Sequence, residues 1–272
     1  MITFVIFTYN EEKRIERVIK NFKDYGKILL ADNKSTDKTH EIANKYGCGI
    51  YLREKDYVFV ENQELVDELY KVIDTEWVYW GFADEMLEKE TLQELKNITE
   101  GNQYDVISMD RKNYFYGEFC YNLYHARTFK LFKKDAINFI DNPIHSMGKA
   151  NVPENRIYHL EDKYFIHHFI SNTALSYLNV INRYTDSELN FPYQVKTSSF
   201  YLVIQFFKSL LLSCFRSKGF KPGYSSLALT ELMLIYGIIK NMKHYEKQSQ
   251  LTSQSIEIEN NQFRDQILSK LS

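Results

Sequence analysis

The chain is poor in the residues that break or staple structure. Among 272 residues there are only ten Gly and four Pro. So few flexible or helix-breaking positions argue against long disordered linkers. Three cysteines, Cys48, Cys120 and Cys214, lie far apart and form no CxxC pair. Neither a disulfide framework nor a zinc site is indicated, and the three read as reduced thiols in a cytosolic protein. Charge of one sign is also missing. The formal net charge is −2, so a nucleic-acid binder working through a basic surface is not indicated, and no nucleic-acid partner is expected. The first residues lack the basic start and long apolar core of a signal peptide. No apolar run reaches the roughly 20 residues that cross a bilayer. No internal repeat is visible.

What is present is a globular composition, 44% hydrophobic and 26% charged, rich in Tyr (21) and Phe (19). That suits one large domain, or one domain with an appended segment. Residues 2–7 are an apolar, β-rich run, as expected of a buried parallel strand. Ile15, Val18, Ile19 and Phe22 then recur at helical spacing up to Gly26. Residues 28–31 and 49–52 read as further strands. Between them Ser35, Thr36 and Asp37 offer caps for a helix through Ala43. Residues 62–73 are helical by pattern, 75–81 a fourth strand, and 89–98 another helix. Alternation at this spacing predicts an α/β fold, a mainly parallel sheet with helices on both faces.

Three polar clusters fall just past strand ends: Thr8 to Glu11, Asp32 with Asn33, and Asp84 with Glu85. In parallel strands these clusters share one edge, where open α/β sheets bind ligands. Carboxylates there are ligands of the kind Mg²⁺ and Mn²⁺ prefer. Paired acids after a strand equally serve as a surface turn. Beyond residue 103 short strand-like runs at 106–109, 113–116, 129–132 and 164–166 lack intervening helices. They predict a mixed, partly antiparallel extension of the sheet. Residues 172–189 return to helix, with Ala174, Leu178, Ile181 and Tyr184 on one face.

The segments 200–215 and 227–239 are almost continuously apolar, interrupted by Lys208 and Glu231. Arg216, Lys218, Lys221, Lys240 and Lys243 lie between and after them. Two amphipathic helices with basic flanks suit a membrane interface, and suit equally a helical hairpin packed on the sheet or on a second subunit. The tail carries Phe263, Ile267 and Leu271 at helical spacing, a helix for self-association in a homodimer. The organisation expected is a domain over 1–195, with a nucleotide-binding half (1–100) and an acceptor-side half (101–195). An amphipathic helical segment (196–247), open to a membrane-associating role, and a polar tail (248–272) follow.

The ordered set FTYNEEKRIERVIKNF (7–22), LLADNKSTDKTHEIANKYG (29–47) and EWVYWGFADE (76–85) resembles the inverting family-2 glycosyltransferases of the GT-A fold. RTFKLFKK (127–134), NPIHS (142–146), FIHHFISNTALSYLNVINRYT (165–185) and GFKPG (219–223) are similar to the branch that builds lipopolysaccharide core and capsule. The resemblance spans about residues 1–245. It implies transfer of a hexose or N-acetylhexosamine from a UDP-sugar to a cell-surface or lipid-linked glycan, with inversion, at the cytoplasmic face of the plasma membrane. It places Thr8, Tyr9, Asn10, Glu11, Asp32, Asn62, Phe82, Ala83 and Asp84 around the nucleotide. Tyr9 would stack on the base, and Asp32 would accept the uracil imide N–H. Asp84 and His168 are its metal ligands, for Mn²⁺ or Mg²⁺. His145, Glu85 and Glu154 are candidate bases for the acceptor hydroxyl. Arg127 and Lys130 are candidate phosphate contacts. Each has a plainer role open to it: Asn62 as a helix cap, Asp32 capping a turn, His168 as a half-buried strand residue. The family's acidic motif usually reads Asp-Ala-Asp-Glu. Phe82 replaces its first Asp, and Ser146 follows His145 where the branch often has Glu. Both departures favour the alternative of a degenerate module that binds a nucleotide sugar or a partner without turnover. A nucleotidylyltransferase would need a glycine-rich loop after the first strand, and Thr8–Lys13 contains no Gly.

Overall fold

The fold is described from a computed structural model, over residues 1–53, 62–120, 127–140, 147–216 and 223–270. The N-terminal half alternates as expected: β1 (Ile2–Thr8), α1 (Ile15–Phe22), β2 (Gly26–Asp32), α2 (Thr39–Lys45), β3 (Gly49–Leu52), α3 (Gln63–Val72), β4 (Trp77–Phe82), β5 (Glu85–Leu87) and α4 (Lys89–Glu100). The second half supplies β6 (Val106–Phe115), β7 (Glu118–Cys120), β8 (Thr128–Lys133), β9 (Ile137–Asn138), β10 (Lys149–Ala150), β11 (Ile157–His159) and β12 (Phe165–Ser171). Four helices close the chain: α5 (Ala174–Glu188), α6 (Ser199–Arg216), α7 (Gly223–Gln248) and α8 (Ser253–Ser269).

The main sheet runs β3-β2-β1-β4-β8-β6-β12-β5, with β7 and β11 also pairing β6. β3, β2, β1 and β4 are parallel. β8 enters antiparallel between β4 and β6, and β12 returns parallel to β6. The chain steps outward from β1 to β3 and then back to β4. Open α/β sheets bind ligands outside such a reversal, which here lies at the carboxyl ends of β1 and β4.

Alternation along β1 explains why two helical layers form. Phe4 and Ile6 face α1, where Ile15, Val18, Ile19 and Phe22 supply one apolar stripe. Val5 and Phe7 face the other side, with Val66 and Leu69 of α3 and with Trp80. β4 is buried on both faces, so it reads as a continuous apolar run rather than an alternating one. Truncating Trp80 here would cost about 3–5 kcal/mol. Gly81 is required by close approach, since a Cβ would meet the Tyr79 ring at 2.8 Å and Ile6 Cδ1 at 2.9 Å.

Differences from expectation have local causes. Of the two acids only Asp84 lies in the turn after β4; Glu85 is buried and opens β5, which pairs antiparallel with β12. The runs at 106–109 and 113–116 are one strand of ten residues. On α5 the buried face holds Ile181, Thr185 and Glu188, while Leu178 is exposed. α7 is longer than its apolar core. Its Ala228, Leu229 and Leu232 close a small core with Phe115 and Cys120. Among the described residues no helix is long and apolar enough to cross a membrane. α8 has no buried residue. Cys48 and Cys120 are free, and burial pushes the Cys48 thiol up to about 11.

Candidate active site

The register of β1, β2 and β4 aligns Thr8 with Asp32 and Phe7 with Phe82. All three N-terminal clusters therefore meet at one edge. The loops after β1 and β2 are stitched together there. Asn10 takes a left-handed backbone (φ 55°), donates its N–H to Ser35 Oγ at 2.8 Å, and accepts from the Thr36 N–H at 2.8 Å. The Glu11 N–H donates to Thr39 Oγ1 at 2.8 Å. The Glu11 carboxylate holds Arg14 in a two-pronged pair, both contacts 2.7 Å. Tyr9 stands between these anchors and is 44% exposed.

Asp32 organises this loop pair. It is fully buried and takes four hydrogen bonds: Thr8 Oγ1 (2.8 Å) and Ser35 Oγ (2.6 Å) on Oδ1, the Ser35 N–H (2.7 Å) and His40 Nε2 (2.8 Å) on Oδ2. Burial alone would raise its pKa; the bonds from Ser35, His40 and Thr8 outweigh that and hold it below the usual carboxylate range. A carboxylate has about four acceptor sites, and all are used. Within the chain Asp32 therefore caps the turn, the plainer role open to it. Its neighbour Asn33 carries the open atom. The Asn33 N–H is bonded to the Thr8 carbonyl at 2.9 Å, while its Oδ1 is buried without a partner. Asn62 is the helix cap, its side chain accepting the Leu65 N–H at 2.9 Å.

The acidic motif divides into two roles. Glu85 is fully buried, 2.7 Å from Lys130 Nζ and 3.1 Å from Arg111. Lys130 is equally buried and also donates to the Trp80 carbonyl at 2.8 Å. Burial lowers the Lys130 ammonium below the usual lysine range, opposed by the Glu85 carboxylate. A carboxylate so enclosed cannot take a proton from an acceptor hydroxyl, and Lys130 cannot reach a phosphate. Both assignments are corrected; the pair fastens β8 beneath the site. Arg127 is likewise engaged, with the Leu160 carbonyl (2.7 Å) and Asp162 (2.6 Å). Glu154 bonds His159, on β11, beside the amino-terminal end of β6 and away from the site edge. His145 and Ser146 lie outside the described residues, as do 121–126. Phe82 packs on Phe7 (5.6 Å between centroids), and Ala83 is buried.

Asp84 and His168 come together. β12 brings His168 Nε2 to 3.5 Å from Asp84 Oδ2, and the Phe169 N–H donates to the Asp84 carbonyl at 2.9 Å. His168 Nδ1 bonds Asn113 Oδ1 at 2.8 Å. The ring is thus held at Nδ1 by a second partner while Nε2 faces Asp84, the arrangement expected of a ligating imidazole. Asp84 Oδ1 is buried and unpartnered. Burial raises the Asp84 pKa, but His168, then Arg14 and Arg111, pull it to about 2. A carboxylate kept ionised, an orphaned oxygen and a facing imidazole fit a divalent cation. Among the described residues no third His, Cys, Asp or Glu completes a protein-only metal cluster. Sequence reasoning missed Arg111, Asn113 and Arg14. Arg111 and Asn113 come from β6 and Arg14 from the start of α1, far from Asp84 in sequence, and no local pattern signals them. A cavity of about 710 Å³ is lined by other residues, Tyr193, Tyr245 and Gln248 among them.

The fold is a mainly parallel α/β sheet of the GT-A type, with a polar, carboxylate-bearing cluster at its reversal point. Residues 3–156 match glycosyl transferase family 2, and the chain belongs to that family. It is similar to an uncharacterized glycosyltransferase of Rickettsia bellii (strain RML369-C), 31% identical over 105 residues. A second, from Rickettsia typhi (strain ATCC VR-144 / Wilmington), is 35% identical over 104. Each match spans 38% of this chain and 34% of the relative, so only about a third of those proteins is matched. Among solved structures, S. aureus TarS 1-349 in complex with UDP is 17% identical, with TM-score 0.46, over 93% of this chain and 92% of that one. Glucosyl-3-phosphoglycerate synthase from Mycobacterium tuberculosis, in complex with Mn²⁺, UDP and phosphoglyceric acid, is 20% identical, with TM-score 0.33, over 42% and 43%.

Proposed function

We propose that the chain transfers a hexose or N-acetylhexosamine from a UDP-sugar to a cell-surface or lipid-linked glycan, inverting the anomeric centre, at the cytoplasmic face of the membrane. The observation that carries this reading is the convergence of Thr8–Asn10, Asn33, Asp84 and His168 on one sheet edge. In it residues 1–100 form the donor half and residues 101–195 the acceptor half. Tyr9 stacks on the base. Asn33 Oδ1 accepts the uracil imide N–H, which satisfies its buried oxygen. Asp32 holds the loops in place for both. Asp84 and His168 would hold Mn²⁺ or Mg²⁺, with the remaining ligands from diphosphate and water. Bound there, the cation neutralises charge developing on the leaving diphosphate. Arg14 and Arg111 add positive potential on the same side. With Glu85 sealed in the core, His145 is the base that takes the acceptor proton.

A second reading, a binding module without turnover, is favoured by Phe82 in the place of the first acid. A panel of nucleotide sugars separates the two. Purified protein should hydrolyse UDP-hexoses or UDP-N-acetylhexosamines slowly in Mn²⁺ and release UDP. Tight UDP binding with no release from any donor would establish the binding module. Preference for a non-uridine donor would overturn the Asn33 assignment.

A further inference from the structure

We infer that α6 is a lipid-facing helix that seats the protein on an anionic membrane surface without crossing it. The inference rests on α6 and the charges that flank it in sequence, and not on the transfer reaction. Phe200, Val203, Phe206, Phe207, Leu210 and Leu211 are between 45% and 67% exposed. At 3.6 residues per turn they occupy an arc of about 140°. A surface helix of a globular domain turns such a stripe inward; this one turns it outward. The exposed apolar area is roughly 600 Å², the upper end of what a soluble monomer shows.

The helix is nevertheless tied to α7 at its entry. The Asn241 side chain accepts the Lys196 N–H at 2.8 Å and donates to the Lys196 carbonyl at 2.9 Å, clasping the segment that leads into α6. α7, which carries Asn241, is anchored through Ala228, Leu229 and Leu232 on Phe115 and Cys120. The apolar arc is therefore held out by a helix rooted in the sheet half.

Charge identifies what covers it. From residue 189 to residue 230 the sequence has Lys196, Lys208, Arg216, Lys218 and Lys221 and no Asp or Glu. The rest of the chain is net acidic, because the whole sums to −2. An acid-free basic stretch around an exposed apolar helix complements anionic headgroups above acyl chains. Lys208 is exposed at the margin of the arc, placed to reach headgroups while its stem lies on the apolar face. A two-fold contact of α6 with a second copy would instead bring like charges together, with no acid in the stretch to pair them.

The test is co-sedimentation of the full chain with phosphatidylcholine vesicles, with and without phosphatidylglycerol. Binding is expected to the anionic vesicles and to fall with added salt. Phe207→Glu with Leu211→Glu should abolish it, and Lys208→Gln should weaken it about fivefold. Circular dichroism and UDP affinity should stay unchanged in these variants, which separates this surface from the donor site. No binding to anionic vesicles, or binding indifferent to the double substitution, would overturn the inference. So would a dimer in sedimentation velocity that the same double substitution dissociates, since that assigns the face to a second copy.

Discussion

Lys130→Met tests the layer beneath the acidic motif. Lys130 and Glu85 are both without solvent exposure, 2.7 Å apart, and Lys130 also caps the Trp80 carbonyl. Removing one partner of a buried pair strands the other charge, at about 3–5 kcal/mol. Arg111, 3.1 Å from the opposite Glu85 oxygen, remains and places the expected cost at the lower end, about 3 kcal/mol. In a chain of this size that is a fall in Tm of roughly 6–12 °C. Substituting both, Glu85→Leu with Lys130→Met, should recover much of the loss, because desolvation of the pair offsets its attraction. Urea titrations of the wild type, both single variants and the double variant give the coupling directly. A Lys130→Met protein as stable as wild type would refute the buried pair, and with it the argument that Glu85 cannot serve as a base.

Other consequences follow from the same geometry. Asn33→Ala should weaken UDP binding about fivefold, one hydrogen bond's worth, while Asn33→Asp retains it; equal affinity of the alanine variant by calorimetry would remove Asn33 from the base site. Asp32 has a depressed folded-state pKa. Its contribution to stability is therefore full above the unfolded value of about 3.9 and is lost as pH falls through the folded value. Asp32→Asn should flatten the acid limb of stability against pH, and an unchanged limb would contradict the assignment. Asn113→Ala frees the His168 ring, so it should reduce Mn²⁺ affinity on the order of tenfold or more with Tm little changed; unaltered affinity would show that His168 is no ligand.

The parallel half of the fold was legible because its signals are local. Apolar runs such as 2–7 and 28–31, each followed by a 3.6-residue stripe, leave little choice but alternating strands and helices. The shared edge of Thr8, Asp32 and Asp84 followed from parallelism alone. Division of labour within each cluster was not legible. Asp32 and Asn33 are adjacent, yet one is sealed by four donors and the other keeps an open oxygen, a difference made by Ser35 and His40 folding back. Asp84 and Glu85 differ for a longer-range reason: Lys130 lies 45 residues away and arrives on an antiparallel strand. Asn113, which orients His168, is 55 residues from it. Side-chain pairs at that separation are set by tertiary register, which periodicity does not encode.

The central claim is that Asp84 and His168 hold a divalent cation on which transfer depends. Donor turnover by wild type and by Asp84→Asn, measured in EDTA and across Mn²⁺ and Mg²⁺ titrations, tests it most directly. The wild type should be silent in EDTA and recover with Mn²⁺ at least as well as with Mg²⁺, since an imidazole ligand favours Mn²⁺. Asp84→Asn should fold normally and lose about a hundredfold or more in turnover at every metal concentration. Full activity in EDTA, or a wild-type rate from Asp84→Asn, would contradict the account and leave Arg14 and Arg111 to neutralise the leaving group.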